Sequence, residues 1–289
     1  MQAQQLDVYA NFFESSFLFN PANTASDHDE EIDLSYQKGL SKFSNAPEYI
    51  RASYQIPLIA NNISLGAALT SNKFGLIRQN SINLSFAYKI KIDDEEIRQL
   101  QIGTSLNLSQ LQLNSDAAIG DIEDSIFLND SSLAPNINVG VSYKSKEHWR
   151  DYDTSIFQAG LATGKTISSI RSFEDLNYKE SFFTVAELRF GMPYSEEFFY
   201  EIYCKVFLDS FDRIYSLVAG KFIFNKRFIL GLGIDSGFSI IPLAGVAVDI
   251  GSGVRNLEII LNSKIITKRE IQEFNPGFGL TLRYLNEKY

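Results

Sequence analysis

Apolar and polar residues alternate with period two along most of this chain. Ile82, Leu84, Phe86, Tyr88 and Ile90 share one parity, as do Ile102, Leu106 and Leu108, then Ile137, Val139, Val141 and Tyr143. Later come Ile214, Val218, Phe222 and Phe224, then Phe228, Leu230, Leu232 and Ile234, and finally Phe278, Leu280, Leu282 and Tyr284. In a strand successive side chains point to opposite faces, so each segment has one apolar and one polar face. The pattern predicts strands near 30–36, 48–57, 62–70, 80–90, 98–111, 136–145, 154–163, 181–190, 198–207, 213–224, 227–234, 238–249, 255–264 and 277–285. Between them stand chain-reversing sequences such as Asn61-Asn62, Asn225-Lys226, Asp235-Ser236-Gly237, Gly251-Ser252-Gly253 and Asn275-Pro276-Gly277.

A soluble sandwich also alternates. Strand length, the many aromatic residues and the shortage of polar cover for so many apolar faces argue for a membrane instead. The predicted connections sort by length in the same direction. Taken alternately they are 37–47, 71–79, 112–135, 164–180, 208–212, 235–237 and 265–276, against 58–61, 91–97, 146–153, 191–197, 225–226 and 250–254. All the long ones fall in the first set, as in barrels with short periplasmic turns and longer outside loops. The expected fold is therefore all-β: a single transmembrane antiparallel β-barrel of about 14 strands, with both termini on the periplasmic side.

Composition adjusts this picture only at the edges. Apolar residues make up 45% of the 289, and no run approaches the roughly 20 residues that a membrane helix needs. Aromatics reach 13%, with 23 Phe and 14 Tyr, which suits a lipid-facing wall with interfacial girdles. The net charge of −9 and the lack of a Lys/Arg stripe disfavour nucleic acid as a partner. Cys204 is the single cysteine and reads as a small apolar strand residue. Met1-Gln2-Ala3-Gln4-Gln5 reads as the remnant of a signal-peptide junction whose apolar region has been removed. No linker divides the chain, so two parts are expected: a leader or plug segment over 1–28 and the barrel over 29–289. In the leader, Tyr9, Phe12, Phe13, Phe17 and Phe19 are spaced more like a helix face than a strand, and Asn20-Pro21 stops the run. It forms either a strap across the barrel mouth or a plug within the lumen, where five exposed rings would be covered.

Chemistry-bearing motifs fail on inspection. Gly160 to Thr166 ends like a phosphate-binding loop, but three residues separate its glycines where four are required. Gly231-Leu232-Gly233 lacks the third glycine of a dinucleotide site and leads into another strand. His28, within Asp27-His28-Asp29-Glu30-Glu31, belongs to a solvated acidic turn, and His148 beside Trp149 and Arg150 to an interfacial anchor. Asp93-Asp94-Glu95-Glu96 is a charged turn. No enzymatic activity, metal or cofactor is expected. Charges inside strands have another use. Glu187, Arg189, Glu201, Lys205 and Lys221 would be costly in lipid, about 2–4 kcal/mol for Arg or Lys near the midplane. Glu187, Arg189, Glu201 and Lys205 are expected to face the lumen as an ion-pair network, with Leu188, Phe190, Tyr200 and Ile202 facing lipid.

Four stretches resemble the PorP/SprF family, outer-membrane barrels associated with the type IX secretion system of Bacteroidetes. Phe19-Asn20-Pro21-Ala22 resembles its Asn-Pro-Ala-Tyr-Ala-Gly element after an aromatic leader. Tyr36-Gln37, then Phe43, Asn45, Ala46 and Pro47, resemble its Tyr-Arg-x-Gln-Trp, Gly-Phe and Gly-Ala-Pro run. Ile63 to Leu69 with Gly75 to Tyr88 resemble the next hairpin, and Pro135 to Tyr143 the strand after its long loop. The first hairpin lacks the family's Trp, and Asp27-His28 stands where a glycine turn is usual. The resemblance implies a non-enzymatic outer-membrane role. The implied partner is the C-terminal sorting domain of a secreted surface protein, such as a gliding adhesin, alongside outer-membrane lipid and other components of the secretion machinery. On that reading the outer loops dock the partner through Phe43, Asn45, Ile119, Ile122, Ile126, Phe127, Leu128, Ile170, Arg171 and Phe173. Apolar residues in such loops are buried either by a partner or by the loop itself. A porin or transporter for small solutes or lipids, and a structural subunit of the secretion machinery, are the competing readings.

Overall fold

The computed structural model describes residues 16–26, 30–39, 46–58, 62–75, 77–93, 97–113, 131–148, 154–164, 170–173, 176–179, 182–195, 197–209, 214–250, 255–266 and 277–286. Two short 3-10 turns, Ser16–Leu18 and Pro21–Asn23, precede sixteen strands. The first group is β1 (Glu30–Lys38), β2 (Glu48–Leu58), β3 (Ile63–Phe74), β4 (Ile77–Lys91), β5 (Arg98–Leu113), β6 (Ser131–His148) and β7 (Thr154–Gly164). A small hairpin, β8 (Ile170–Phe173) and β9 (Leu176–Lys179), follows. The second group is β10 (Phe183–Pro193), β11 (Phe198–Asp209), β12 (Ile214–Phe224), β13 (Phe228–Asp235), β14 (Ser239–Asp249), β15 (Arg255–Ile266) and β16 (Gly277–Asn286). Fourteen of them form one closed antiparallel barrel in sequence order, with β7 next to β10 and β1 next to β16, and β8–β9 stands apart as a two-stranded sheet. The seam runs from Glu30 opposite Asn286 to Lys38 opposite Phe278, so no sheet edge is left for lipid to meet.

Two predicted connections need correcting. Residues 71–79 are no loop: β3 and β4 continue to Phe74 and Ile77, and Gly75 takes a φ of +59° that a glycine adopts without strain. Residues 164–180 contain the β8–β9 hairpin, whose four-residue strands are too short to show an alternation. The polarity of the connections stands. The longest, 114–130 and 165–182, share one end with 39–47 and 267–276, and at the other end none is longer than 92–97. Short turns mark the periplasmic side.

The outer wall carries Leu34, Leu69, Leu84, Ile102, Leu188, Val218, Leu230, Leu261 and Leu282, all exposed, as a lipid-facing band requires. At the turn end that band closes in rings. Tyr143 lies 6.3 Å from Phe157, Phe190 is 6.4 Å from Tyr200, and Phe224 is 4.7 Å from Phe198 and 6.5 Å from Phe228. Aromatic rings of this kind sit at the headgroup level. At the other end β4 to β6 run on for 15, 16 and 18 residues, well past the roughly 9–11 that span a bilayer. Beyond Ile82 and Leu108 the outward positions of β4 and β5 turn polar, with Asn80, Arg78, Gln110 and Gln112. β4 and β5 therefore run past the apolar band at this end.

The inner wall is not uniformly polar. On β2 to β7 it is lined by Ser53, Gln55, Asn83, Ser85, Gln101, Ser105, Asn138, Ser142 and Gln158. On β11 to β15 it also carries an apolar patch, in which Tyr203, Leu217, Ala219, Ile229, Ile241, Leu243 and Ile260 form one buried cluster. There both faces of a strand are apolar, Leu217 and Ile229 at 1% exposure inside against Val218 and Leu230 outside.

Candidate functional site

Residues 16–26 lie along the inside of the barrel. Asn20 opens the second 3-10 turn in extended backbone, and its side chain accepts from Ala22 N at 3.1 Å. Pro21 follows at the first turn position, where its fixed φ and missing N–H cost nothing. Thr24 then donates from Oγ1 to Pro21 O at 2.7 Å. Ala25 takes a left-handed φ of 46°, worth about 1–2 kcal/mol of strain for a residue with a Cβ. Partners from the wall hold it there. Ala25 N donates to Gln55 Oε1 at 2.9 Å, and Lys144 Nζ donates to Ser26 O at 2.6 Å.

The remaining contacts reach strands β4, β7 and β10. Asn20 Nδ2 donates to Glu187 Oε1 at 2.8 Å, and Asn23 Nδ2 donates to the same oxygen. Gln158 Nε2 donates to Asn23 Oδ1 at 2.7 Å, and Thr24 meets Ser85 through their hydroxyls. Phe17 is fully buried, and Phe19 packs edge-on against Phe207 with centroids 5.3 Å apart while Lys205 Nζ stands 5.5 Å from its ring. Four inner-wall glycines make the room. A Cβ at Gly103 would fall on the backbone of Pro21 and Ala22, and one at Gly140 on Asn20 Oδ1. At Gly160 it would come within 2.6 Å of Asn20 Nδ2, and at Gly66 within 3.0 Å of Thr24.

The charged strand residues stand on this inner wall. Glu187 faces Lys205 across β10 and β11, with Nζ 3.8 Å from Oε2. Arg189 reaches diagonally to Glu201 at 2.6 Å, and Lys221 from β12 meets the other Glu201 oxygen at 2.6 Å. Tyr203 also donates to Glu201, at 2.9 Å. Leu188, Phe190 and Ile202 are exposed on the outer wall, with Tyr200 half-buried beside them. Sequence reasoning missed a second set. Arg51 donates twice to Asp33 Oδ1, at 2.6 and 3.0 Å, and Arg283 pairs with Glu258, so opposite charges line the seam strands β15, β16, β1 and β2. Ser35 and Thr281 join across the closure at 2.9 Å. The inward parity of Asp33, Arg51, Glu258 and Arg283 was the available signal, since each is charged within an otherwise alternating strand. A third group caps the apolar inner cluster: Asp235 accepts from Tyr215 at 2.8 Å and pairs with Lys264 at 2.9 Å.

Of the loop residues expected to meet a partner, Phe43, Asn45, Ile119, Ile122, Ile126, Phe127 and Leu128 lie outside the described residues. Ile170, Arg171 and Phe173 fall on β8, whose backbone alone is described. Among the described residues no group of His, Cys, Asp or Glu is arranged to hold a metal ion.

Residues 1–280 match the family described as Type IX secretion system membrane protein PorP/SprF. The chain belongs to the PorP/SprF family. The family is non-enzymatic, and its match extends through the late strands, well beyond the early motifs. This PorP/SprF member is thus a type IX secretion system membrane protein built as an outer-membrane β-barrel. No curated protein matches it in sequence. Solved barrels match it in shape. The CymD monoaromatic hydrocarbon channel superposes with a TM-score of 0.56 at 8% identity, over 98% of this chain and 94% of that one. A Pseudomonas aeruginosa FadL homologue gives 0.55 at 8% identity over 93% of each chain. The Pseudomonas putida toluene transporter TodX gives 0.51 at 10% identity, also over 93% of each chain. At such identities the likeness speaks for the fold alone.

Proposed function

We propose that this protein is an outer-membrane anchor. Its barrel is plugged by the N-terminal segment and holds a type IX-secreted surface protein, such as a gliding adhesin, by that protein's C-terminal sorting domain. The observation that carries this reading is the strap of residues 16–26, hydrogen-bonded to β2, β4, β6, β7 and β10. A lumen crossed by ordered backbone, with a buried apolar cluster along β11 to β15, is a poor conduit and a rigid mount. Docking then falls to the outer connections. Strands β4 to β6 are long at the end that bears 114–130, and 165–182 carries its own hairpin, which packs against β6. Ile119, Ile122, Ile126, Phe127 and Leu128 in the first, with Ile170, Arg171 and Phe173 in the second, supply the apolar residues and the arginine that protein interfaces favour.

Deleting residues 116–129 leaves both strand ends intact and tests the assignment. The expected result is loss of surface display of the cargo while the barrel keeps its folded, heat-modifiable mobility on gels. Undiminished display after that deletion would place docking elsewhere. Solute conductance by the unmodified protein in planar bilayers would overturn the plug.

A further inference from the structure

The lipid-facing wall is indented on β7, β10 and β11. Over most of the barrel its outward positions are bulky, but on β7, β10 and β11 the small residues Ala159, Ala186 and Cys204 share the outer face. The register sets them in a staggered row: Leu188 stands between Ala159 and Cys204 on one rung, and Ala186 between Leu161 and Val206 on another. The outcome is a groove of about 470 Å³, walled by Leu100, Tyr143, Leu161, Leu188 and Val206 and deep enough to reach the backbone at Gly160.

Facing water, such a groove would point to a protein partner. Here it opens onto the band that the bilayer covers, and its surface is continuous with the lipid contact. An unfilled groove would forfeit dispersion contacts along its whole lining, so hydrocarbon occupies it. Nothing rigid is required of the occupant except a slender apolar chain. The turn-side end adds a second feature. Arg98 is exposed and lies two residues before Leu100, so both point to the same face of β5. It sits at the level of the aromatic ring that includes Tyr143 and Phe157, where headgroups lie. A guanidinium at that depth offers two parallel N–H donors to a phosphate.

We propose that this groove binds one phospholipid of the periplasmic leaflet, with an acyl chain along Ala159, Ala186 and Cys204 and the phosphate on Arg98. Native mass spectrometry of the barrel released from mild detergent, with phosphatidylglycerol as the added probe, reads the stoichiometry directly. The wild-type protein is expected to hold one phospholipid. Ala159→Phe fills the groove and should remove it. Ala244→Phe, the same change at an exposed outward position on β14 away from the groove, should leave it bound. Arg98→Gln should weaken retention roughly tenfold, the effect of losing one charge-assisted contact. Alkylating Cys204 with a bulky maleimide on the already folded barrel repeats the block without any folding step. Lipid-free wild-type protein, equal retention by the two phenylalanine variants, or a protein chain bound there in place of lipid overturns the proposal. An unchanged affinity in Arg98→Gln overturns the assignment of the phosphate. None of these results bears on cargo display, which depends on the outer loops.

Discussion

The strap inside the barrel can be dislodged with a single methyl group. In Gly103→Ala the new Cβ would overlap the backbone at Pro21 and Ala22, which has no side-chain torsion with which to yield. The segment must move by about an ångström or more, since non-bonded carbons settle near 3.5–4.0 Å. Its anchoring hydrogen bonds tolerate less than that. Asn20 to Glu187 is 2.8 Å, Gln158 to Asn23 is 2.7 Å and Lys144 to Ser26 is 2.6 Å, and such bonds fade beyond roughly 3.2 Å. Those to Glu187 and Lys144 involve a charge, worth about 1.5–3 kcal/mol each. Losing two of them amounts to about 3 kcal/mol or more, which raises the detached population roughly 100-fold. The assay is maleimide labelling of Ser26→Cys in a Cys204→Ser background, because Ser26 is buried only while the strap is seated. Labelling should accelerate by about two orders of magnitude in Gly103→Ala. Gly220→Ala, whose Cβ would meet nothing closer than 3.9 Å, should label at the parent rate. Equal rates in all three proteins would falsify the idea that these contacts seat the segment.

Two further outcomes follow from the walls. Asp33→Ala takes from buried Arg51 one ion-pair partner at the barrel seam and should cost about 1.5–3 kcal/mol, measured by denaturant unfolding of detergent-folded protein. A loss below 1 kcal/mol would mean that the seam charges are idle. Leu230→Arg, on the outer face of β13 at 61% exposure, should cost about 2–4 kcal/mol when folding into lipid vesicles is titrated. Unchanged stability would argue that this face does not meet hydrocarbon.

The sequence by itself determined the class of fold, the number of barrel strands and the end that bears the long connections. These follow from local rules: period two in the strands, turn-forming residues between them, and charges kept off the middle of the apolar face. The same rules put Glu187, Arg189, Glu201 and Lys205 on one parity. They could not say that Arg189 passes over the facing Tyr203 to reach Glu201, because pairing depends on strand stagger and side-chain length. The apolar inner cluster of β11 to β15 was hidden as well, since alternation marked Phe228, Leu230, Leu232 and Ile234 as one face and left Ile229 unread. Only the tertiary structure decided where residues 16–26 go. Asn20 and Glu187 are 167 residues apart, and Gly103 yields to Pro21 and Ala22 only once the sheet has closed around them. A glycine within a strand signals that something passes close by. What passes is settled by closure, which brings distant stretches of chain to within contact of one another.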